Sequence, residues 1–159
     1  MKLNLGCGND IKEGFINIDA IPRDGVDVVM DLSNELPFTD VEYINCQDVI
    51  EHFYFNDAKV FLCRCYDALE IGGKIYIQTP DLEVLCKRYC GVLKNPSPLQ
   101  HTLNGDQIAQ SLFAEPSQYG SHKWCYDKHT LTRELMKIGF KIESIGSDGG
   151  QNLLCLAKK

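Results

Sequence analysis

The stretch that decides the fold is Leu3-Asn4-Leu5-Gly6-Cys7-Gly8-Asn9, a short apolar run that breaks into two glycines separated by one residue. Glycines at the carboxyl end of a strand let the backbone come close to a ligand, and in open α/β sheets that end is where ligands sit. Outward from this run, six more apolar runs read as strands: Phe15 to Ile18, Val26 to Met30, Tyr43 to Cys46, Lys74 to Gln78, Lys141 to Ile145 and Leu153 to Ala157. Several are apolar enough to predict strands without a wet face, as in a parallel sheet covered by helices.

Helical periodicity fills the gaps between them. One helix is predicted from Asp57 to Leu69, with Asn56 as N-cap, Val60, Phe61, Leu62, Tyr66 and Leu69 toward the sheet, and Gly72-Gly73 beyond its end. A second begins after Pro80 and carries Leu82, Leu85, Tyr89 and Leu93; a third is capped near Asp127, runs through Leu131, Leu135 and Met136, and stops at Gly139. Strands alternating with helices form right-handed crossovers, which predicts a doubly wound α/β fold: a mostly parallel seven-stranded sheet with helices on both faces. From Gly8 to Asp19 the chain is short for a full crossover, so the first crossover helix is expected to be a turn or two within Asn9 to Gly14.

The 159 residues suit one domain, in which any cofactor and its co-substrate share the same core. Residues 1–90 form the expected ligand-binding half and 127–159 a closing helix and hairpin. The intervening 91–126 segment breaks the rhythm with Pro96, Pro98, Pro116, Gly105 and Gly120, yet carries His101, Phe113, Tyr119, His122, Trp124 and Tyr126. It reads as a lid over the acceptor.

The net charge is -6, and residues 1 to 55 hold eleven acidic residues against Lys2, Lys12 and Arg23. No basic stripe is present, only scattered residues such as Lys87, Arg88 and Lys94, which argues against a nucleic-acid partner. No apolar stretch reaches membrane-span length and no signal region follows Met1, so no membrane association and a cytoplasmic location are expected. The eight cysteines read as reduced thiols; neither Cys63 with Cys65 nor Cys86 with Cys90 has metal-ligand spacing, and no metal is expected.

The ends of the next two runs carry chemistry suited to a nucleoside. Asp19 ends the second, where a carboxylate can accept from both hydroxyls of a ribose; a cap or turn before Pro22 is the plainer reading. Asp31-Leu32 ends the third, where the carboxylate can accept from an adenine amino group while the next N–H donates to the ring, or where a simple turn forms. A dinucleotide is disfavoured: Ile11 stands where its fingerprint needs a third glycine, and no basic cluster awaits a pyrophosphate.

In order along the chain, these residues resemble the class I S-adenosylmethionine (SAM)-dependent methyltransferases, in particular small members with an "LNLGCG" start. The resemblance rests on Leu3 to Gly8, Ile16-Asn17-Ile18-Asp19, Asp31-Leu32 with Leu36-Pro37-Phe38, and Asp48-Val49-Ile50-Glu51-His52-Phe53. It continues through Gly72-Gly73-Lys74-Ile75, Thr79-Pro80-Asp81, His122-Lys123-Trp124 and Gly139-Phe140. It implies S-adenosyl-L-methionine as cofactor, with Gly6, Cys7 and Gly8 on its methionine part, Asp19 on the ribose, Asp31 and Leu32 on the adenine, and Asp48 in the stretch that closes over the ligand. Where such proteins more often have an acidic residue this chain has Asn4, which can hydrogen-bond to the ligand's ammonium without the charge.

The implied activity is methyl transfer to an O or N of a small molecule, of a sugar, cell-envelope or secondary-metabolite kind; the sequence leaves oligomeric state open. His52, just beyond the fourth strand, and His122, in the lid, are candidate bases; the alternatives are a helix-start histidine bonded to a backbone carbonyl for His52 and a structural residue for His122. Asp81 either orients the acceptor or caps the helix behind it. The rival readings are a non-catalytic SAM-binding or partner subunit, aminopropyl transfer from decarboxylated SAM, and a nicotinamide oxidoreductase. Aminopropyl transfer would call for a denser acidic pocket than Asp106 and Glu115 provide.

Overall fold

The computed structural model describes residues 1–92, 105–113 and 119–159. The seven strands are β1 (Lys2–Leu5), β2 (Ile16–Asp19), β3 (Val28–Val29), β4 (Val41–Gln47), β5 (Leu69–Pro80), β6 (Lys141–Ser147) and β7 (Asn152–Lys158). They form one sheet in the order β3-β2-β1-β4-β5-β7-β6. All pairings from β3 to β5 are parallel, and β7 runs antiparallel to both β5 and β6. Strand order reverses between β1 and β4, which places a crevice at their carboxyl ends. The mostly parallel seven-stranded α/β sheet expected from the sequence is therefore present.

The helices are α1 (Phe55–Ala68), α2 (Leu82–Tyr89), α3 (Gly105–Phe113) and α4 (Lys128–Ile138), with a 3₁₀ turn over Ile50–His52. Phe61, Leu62 and Cys65 of α1 and Leu131 and Leu135 of α4 join one buried cluster with Leu3, Leu5, Ile18, Ile44, Cys46, Ile75, Ile77, Leu153 and Cys155. Side chains in register share a face of a sheet, so these strand residues all lie on the face that α1 and α4 cover.

The opposite face differs from expectation. Asn17, Asn4, Asn45, Tyr76 and Leu156 stand in register across it, and Tyr43, Gln47, Lys74, Tyr76, Gln78, Leu154 and Leu156 are only half-buried. This face is therefore polar and buried at Asn4, Asn17 and Asn45 and half-buried along β4, β5 and β7, an alternation that the apolar runs conceal. The first crossover is also shorter than predicted, since residues 6–15 contain turns and no helix. In its place, the 9–15 loop is tied to the amide row. Asn4 Nδ2 donates to the Asp10 carbonyl at 2.7 Å and to Asn17 Oδ1 at 2.9 Å, and Asn45 Nδ2 donates to Asn4 Oδ1 at 2.7 Å. Lys12 N donates to Asn17 Oδ1 at 2.9 Å. Satisfying every buried amide in this way stands in for the apolar contacts a helix would have made.

Local signals explain the remaining boundaries. Asp127 caps α4 by accepting from Thr130 N at 2.7 Å, and Gly139 ends it at φ 122°, where a Cβ would meet the Tyr66 hydroxyl at 2.9 Å. The Asn56 cap is a misreading: α1 starts at Phe55 behind Tyr54, which makes no side-chain cap. Val60 is exposed rather than turned to the sheet, because Ala58, Phe61, Leu62, Cys65 and Ala68 define the buried stripe. Gly72-Gly73 lies inside β5, where a Cβ on Gly73 would come within 2.7 Å of the Val41 carbonyl oxygen. All eight cysteines are free thiols, and Cys65 is buried while Cys63 is exposed, so this pair shares no face. No helix among the described residues is long and apolar enough to cross a membrane. Leu93, Lys94, Pro96, Pro98, His101, Glu115 and Pro116 lie outside the described residues, as does the side chain of Asp106.

Candidate functional site

A cleft of about 930 Å³ opens at the carboxyl ends of β1, β2 and β4, lined by Gly6, Gly8, Asp19, Asp31, Leu32, Asp48, Val49 and His52 among others. Its volume is of the order that encloses a cofactor-sized ligand. The turn after β1 has left-handed backbone at Gly6 (φ 63°) and Gly8 (φ 53°). A Cβ on Gly6 would meet Val49 Cγ2 at 2.5 Å, so only glycine lets the strand end pass the β4 turn.

This turn and β2 are locked together. Cys7 N donates to the Ile18 carbonyl at 3.0 Å, and Gly8 N donates to Asp19 Oδ2 at 2.8 Å. Asp19 Oδ1 accepts from Ile21 N at 2.8 Å and forms an ion pair with Arg23 at 3.1 Å. The carboxylate is thereby fixed in one orientation at the cleft wall with lone-pair capacity remaining on its oxygens. Asp31 Oδ1 accepts from Ser33 N at 2.8 Å, a turn of the kind its plainer reading anticipated, and still lines the cleft beside Leu32.

At the far side, Asp48 holds a left-handed backbone (φ 52°) and both its oxygens accept from Gln78 Nε2, at 3.3 and 3.0 Å. Burial raises its carboxyl above the usual range, against the lowering effect of the Gln78 hydrogen bond. A non-glycine residue held at positive φ beside a ligand-sized cleft is the kind of strain that functional turns carry.

The 3₁₀ turn that follows carries Glu51 and His52. Glu51 is 1% exposed; burial pushes its carboxyl up to about 8, although Thr79 Oγ1 donates to its Oε2 at 3.1 Å. Burial lowers the pKa of His52, so the imidazole stays neutral near pH 7. His52 Nδ1 lies 3.2 Å from the Ser121 carbonyl oxygen, and the His122 ring stands edge-on to it with centroids 4.8 Å apart. The segment bearing His122 is hung on backbone: Lys123 N and Trp124 N both donate to the Glu51 carbonyl, at 2.7 and 3.2 Å. Phe55 and Trp124 rings, 4.7 Å apart, close the same junction.

Gly6, Gly8, Asp19, Asp31, Leu32, Asp48 and His52 thus line one cleft, with His122 against His52. Three candidates stand elsewhere. Asn4 is 1% exposed and outside the lining, with both amide hydrogens and its carbonyl engaged by Asp10, Asn17 and Asn45. Cys7 is buried between the two glycines that line the cleft. Asp81 is the N-cap of α2, accepting from Glu83 N and Val84 N at 3.0 and 3.3 Å. The lining also includes Arg23, Phe53, Tyr54, Asp57, Tyr119 and Lys123, to which no cofactor or catalytic role was assigned from the motifs. Their positions depend on packing between segments far apart in the chain.

No family model matches the chain, and no curated protein matches it. Solved structures do. An S-adenosylmethionine-dependent methyltransferase from Mesorhizobium loti superposes with a TM-score of 0.63 at 14% identity, over 99% of this chain and 90% of that one. A SAM-dependent methyltransferase from Archaeoglobus fulgidus gives 0.66 at 18% identity, over 99% and 85%. The Burkholderia thailandensis 1,6-didemethyltoxoflavin-N1-methyltransferase, solved with 1,6-didemethyltoxoflavin and S-adenosylhomocysteine, gives 0.63 at 12% identity, over 99% and 70%. At such identities the likeness concerns architecture: the chain has the class I fold that these SAM-dependent methyltransferases share.

Proposed function

We propose that the protein binds S-adenosylmethionine in the cleft at the ends of β1, β2 and β4 and transfers its methyl group to an O or N of a small molecule. The observation that carries this reading is the Gly8 to Asp19 hydrogen bond. It holds the Asp19 carboxylate against the glycine turn, with Asp31-Leu32 in the same cleft lining, an arrangement that suits a ribose followed by a purine. The cleft's carboxylates Asp19, Asp31, Asp48 and Asp57 outnumber Arg23 and Lys123, which suits a cationic sulfonium.

Methyl transfer from a sulfonium is an in-line displacement. The acceptor's lone pair forms the new bond to the methyl carbon as the carbon–sulfur bond breaks, leaving S-adenosylhomocysteine, and the acceptor's proton passes to a base. The donor is already activated, so alignment and exclusion of water supply most of the rate. His52 is the cleft-wall group suited to the proton, being neutral with its Nδ1 side held by Ser121. His122 and the 119–126 segment would bound the acceptor, and Asp81 would act through α2 rather than at the reacting atoms. Acceptors of sugar, cell-envelope or secondary-metabolite type fit a site without a basic stripe, in a cytoplasmic protein.

The test is methyl incorporation, followed by mass spectrometry, when purified protein and isotopically labelled SAM meet a small-molecule extract of the source organism. Transfer to a small molecule is expected. SAM binding without transfer would support a non-catalytic SAM-binding subunit instead, and no SAM binding would remove the cofactor assignment.

A further inference from the structure

The cysteines lack metal-ligand spacing, but the fold brings a different set of donors together. One donor atom from each of Glu51, His52 and His122 lies within 4.8 Å of the other two. Glu51 and His52 come from the turn after β4, and His122 comes from the segment that returns after α3.

Each donor already has an outer partner that orients it. His52 Nδ1 is 3.2 Å from the Ser121 carbonyl oxygen, and His122 Nδ1 is 3.0 Å from that of Ser111. A carbonyl can only accept, so Nδ1 carries the proton in both rings and the lone pair resides on Nε2. Glu51 Oε2 accepts from Thr79 Oγ1, whereas Glu51 Oε1 has no hydrogen-bond partner among the described residues, in a residue only 1% exposed. Leaving a buried acceptor unpaired costs about 1–3 kcal/mol, and such atoms are normally satisfied by protein, water or an ion.

We propose that Glu51 Oε1, His52 Nε2 and His122 Nε2 form a binding site for a divalent first-row transition metal ion of the zinc or iron(II) type. Two imidazoles and one carboxylate select such ions over magnesium or calcium, which take oxygen ligands. Histidine ligands whose second ring nitrogen donates to a backbone carbonyl are the usual arrangement around such metals. A tetrahedral shell with bonds of about 2.1 Å puts donors roughly 3.4 Å apart. The three donors, within 4.8 Å of one another, draw in by this difference as the ion binds.

A metal here clamps the 119–126 segment onto the 3₁₀ turn, reinforcing the backbone bonds from Lys123 and Trp124 to the Glu51 carbonyl. Three protein donors leave a coordination position for water or a ligand oxygen, and His52 is itself a cleft-wall residue. The same lone pairs cannot serve a metal and act as bases, so in the loaded protein His52 and His122 are ligands. The site needs no SAM, and its test is independent of the methyltransferase reading.

The experiment is a titration of chelator-treated, reduced protein with Co²⁺ followed visibly, and with Zn²⁺ by calorimetry, in the absence of SAM. The expected result is one equivalent bound, with cobalt d–d bands and no thiolate charge-transfer band. Affinity should fall more than about 100-fold in Glu51→Gln and in His122→Ala. His122 is half-buried, so its variant serves even if the Glu51 variant fails to fold. Lack of stoichiometric binding, unchanged affinity in His122→Ala, or a charge-transfer band reporting the exposed thiols Cys63, Cys86 and Cys90 would each overturn the site.

Discussion

The backbone N–H of Gly8 donates to Asp19 Oδ2 at 2.8 Å, joining the turn after β1 to the end of β2. One carboxylate therefore fixes the turn, anchors Arg23 and faces the cleft. Asp19→Ala should weaken SAM binding by roughly 10- to 100-fold, the scale of losing hydrogen bonds to a charged group at about 1.5–3 kcal/mol. Calorimetric titration checks it, with circular dichroism confirming the fold. Affinity equal to wild type would remove Asp19 from the ribose.

The two glycines of the same turn should differ in what they tolerate. Gly6→Ala brings a Cβ to 2.5 Å from Val49 Cγ2 in addition to its left-handed backbone, whereas a Cβ on Gly8 meets nothing within 4 Å. Gly8→Ala should cost about 1–2 kcal/mol from the backbone alone, and Gly6→Ala distinctly more. Val49→Ala should recover part of the Gly6→Ala loss and none of the Gly8→Ala loss in urea unfolding of the double variants.

An acidic residue at position 4 should not improve the protein. Asn4 Nδ2 donates to the Asp10 carbonyl and to Asn17 Oδ1, and a carboxylate there would face two acceptors with no hydrogen to give. Asn4→Asp is expected to destabilise by at least about 2 kcal/mol, the cost of leaving buried polar groups unpaired. Its SAM affinity should not rise. A more stable Asn4→Asp protein in urea melts, or tighter SAM binding, would contradict the structural role given to this amide.

The acid limb of stability should carry a contribution from the α4 cap. The backbone N–H of Thr130 holds the Asp127 carboxyl below its usual value of 3.8. A carboxyl with a depressed folded-state pKa adds stability that is fully present above the unfolded value and is lost as pH falls through the folded one. Asp127→Ala should cost about 1 kcal/mol at neutral pH and less below pH ~3. Urea midpoints at the two pH values decide it.

Much of this was readable in the chain because it is local. The strand ends at Leu5 and Asp19, the cap at Asp127 and the stop at Gly139 are each written within a few residues. The buried amide row was hidden because Asn4, Asn17 and Asn45 meet only once their strands are in register. Glu51 passed as one residue of a motif; its burial and its proximity to His122 arise from Thr79 and the 121–124 backbone, which no spacing rule connects to it. Likewise Asn4 read as a ligand contact because the amide row that consumes its hydrogen bonds is a tertiary feature.

The Glu51 carbonyl holds residues 123 and 124 through their main-chain N–H groups alone. Those two bonds are indifferent to side-chain identity, whereas the Trp124 ring also packs 4.7 Å from Phe55. Lys123, an exposed residue of the cleft lining, can therefore be exchanged to redraw the rim while the main-chain bonds and the Trp124–Phe55 contact keep the segment in place. This makes the 119–126 return a practical site for grafting new acceptor preferences onto an otherwise unchanged scaffold.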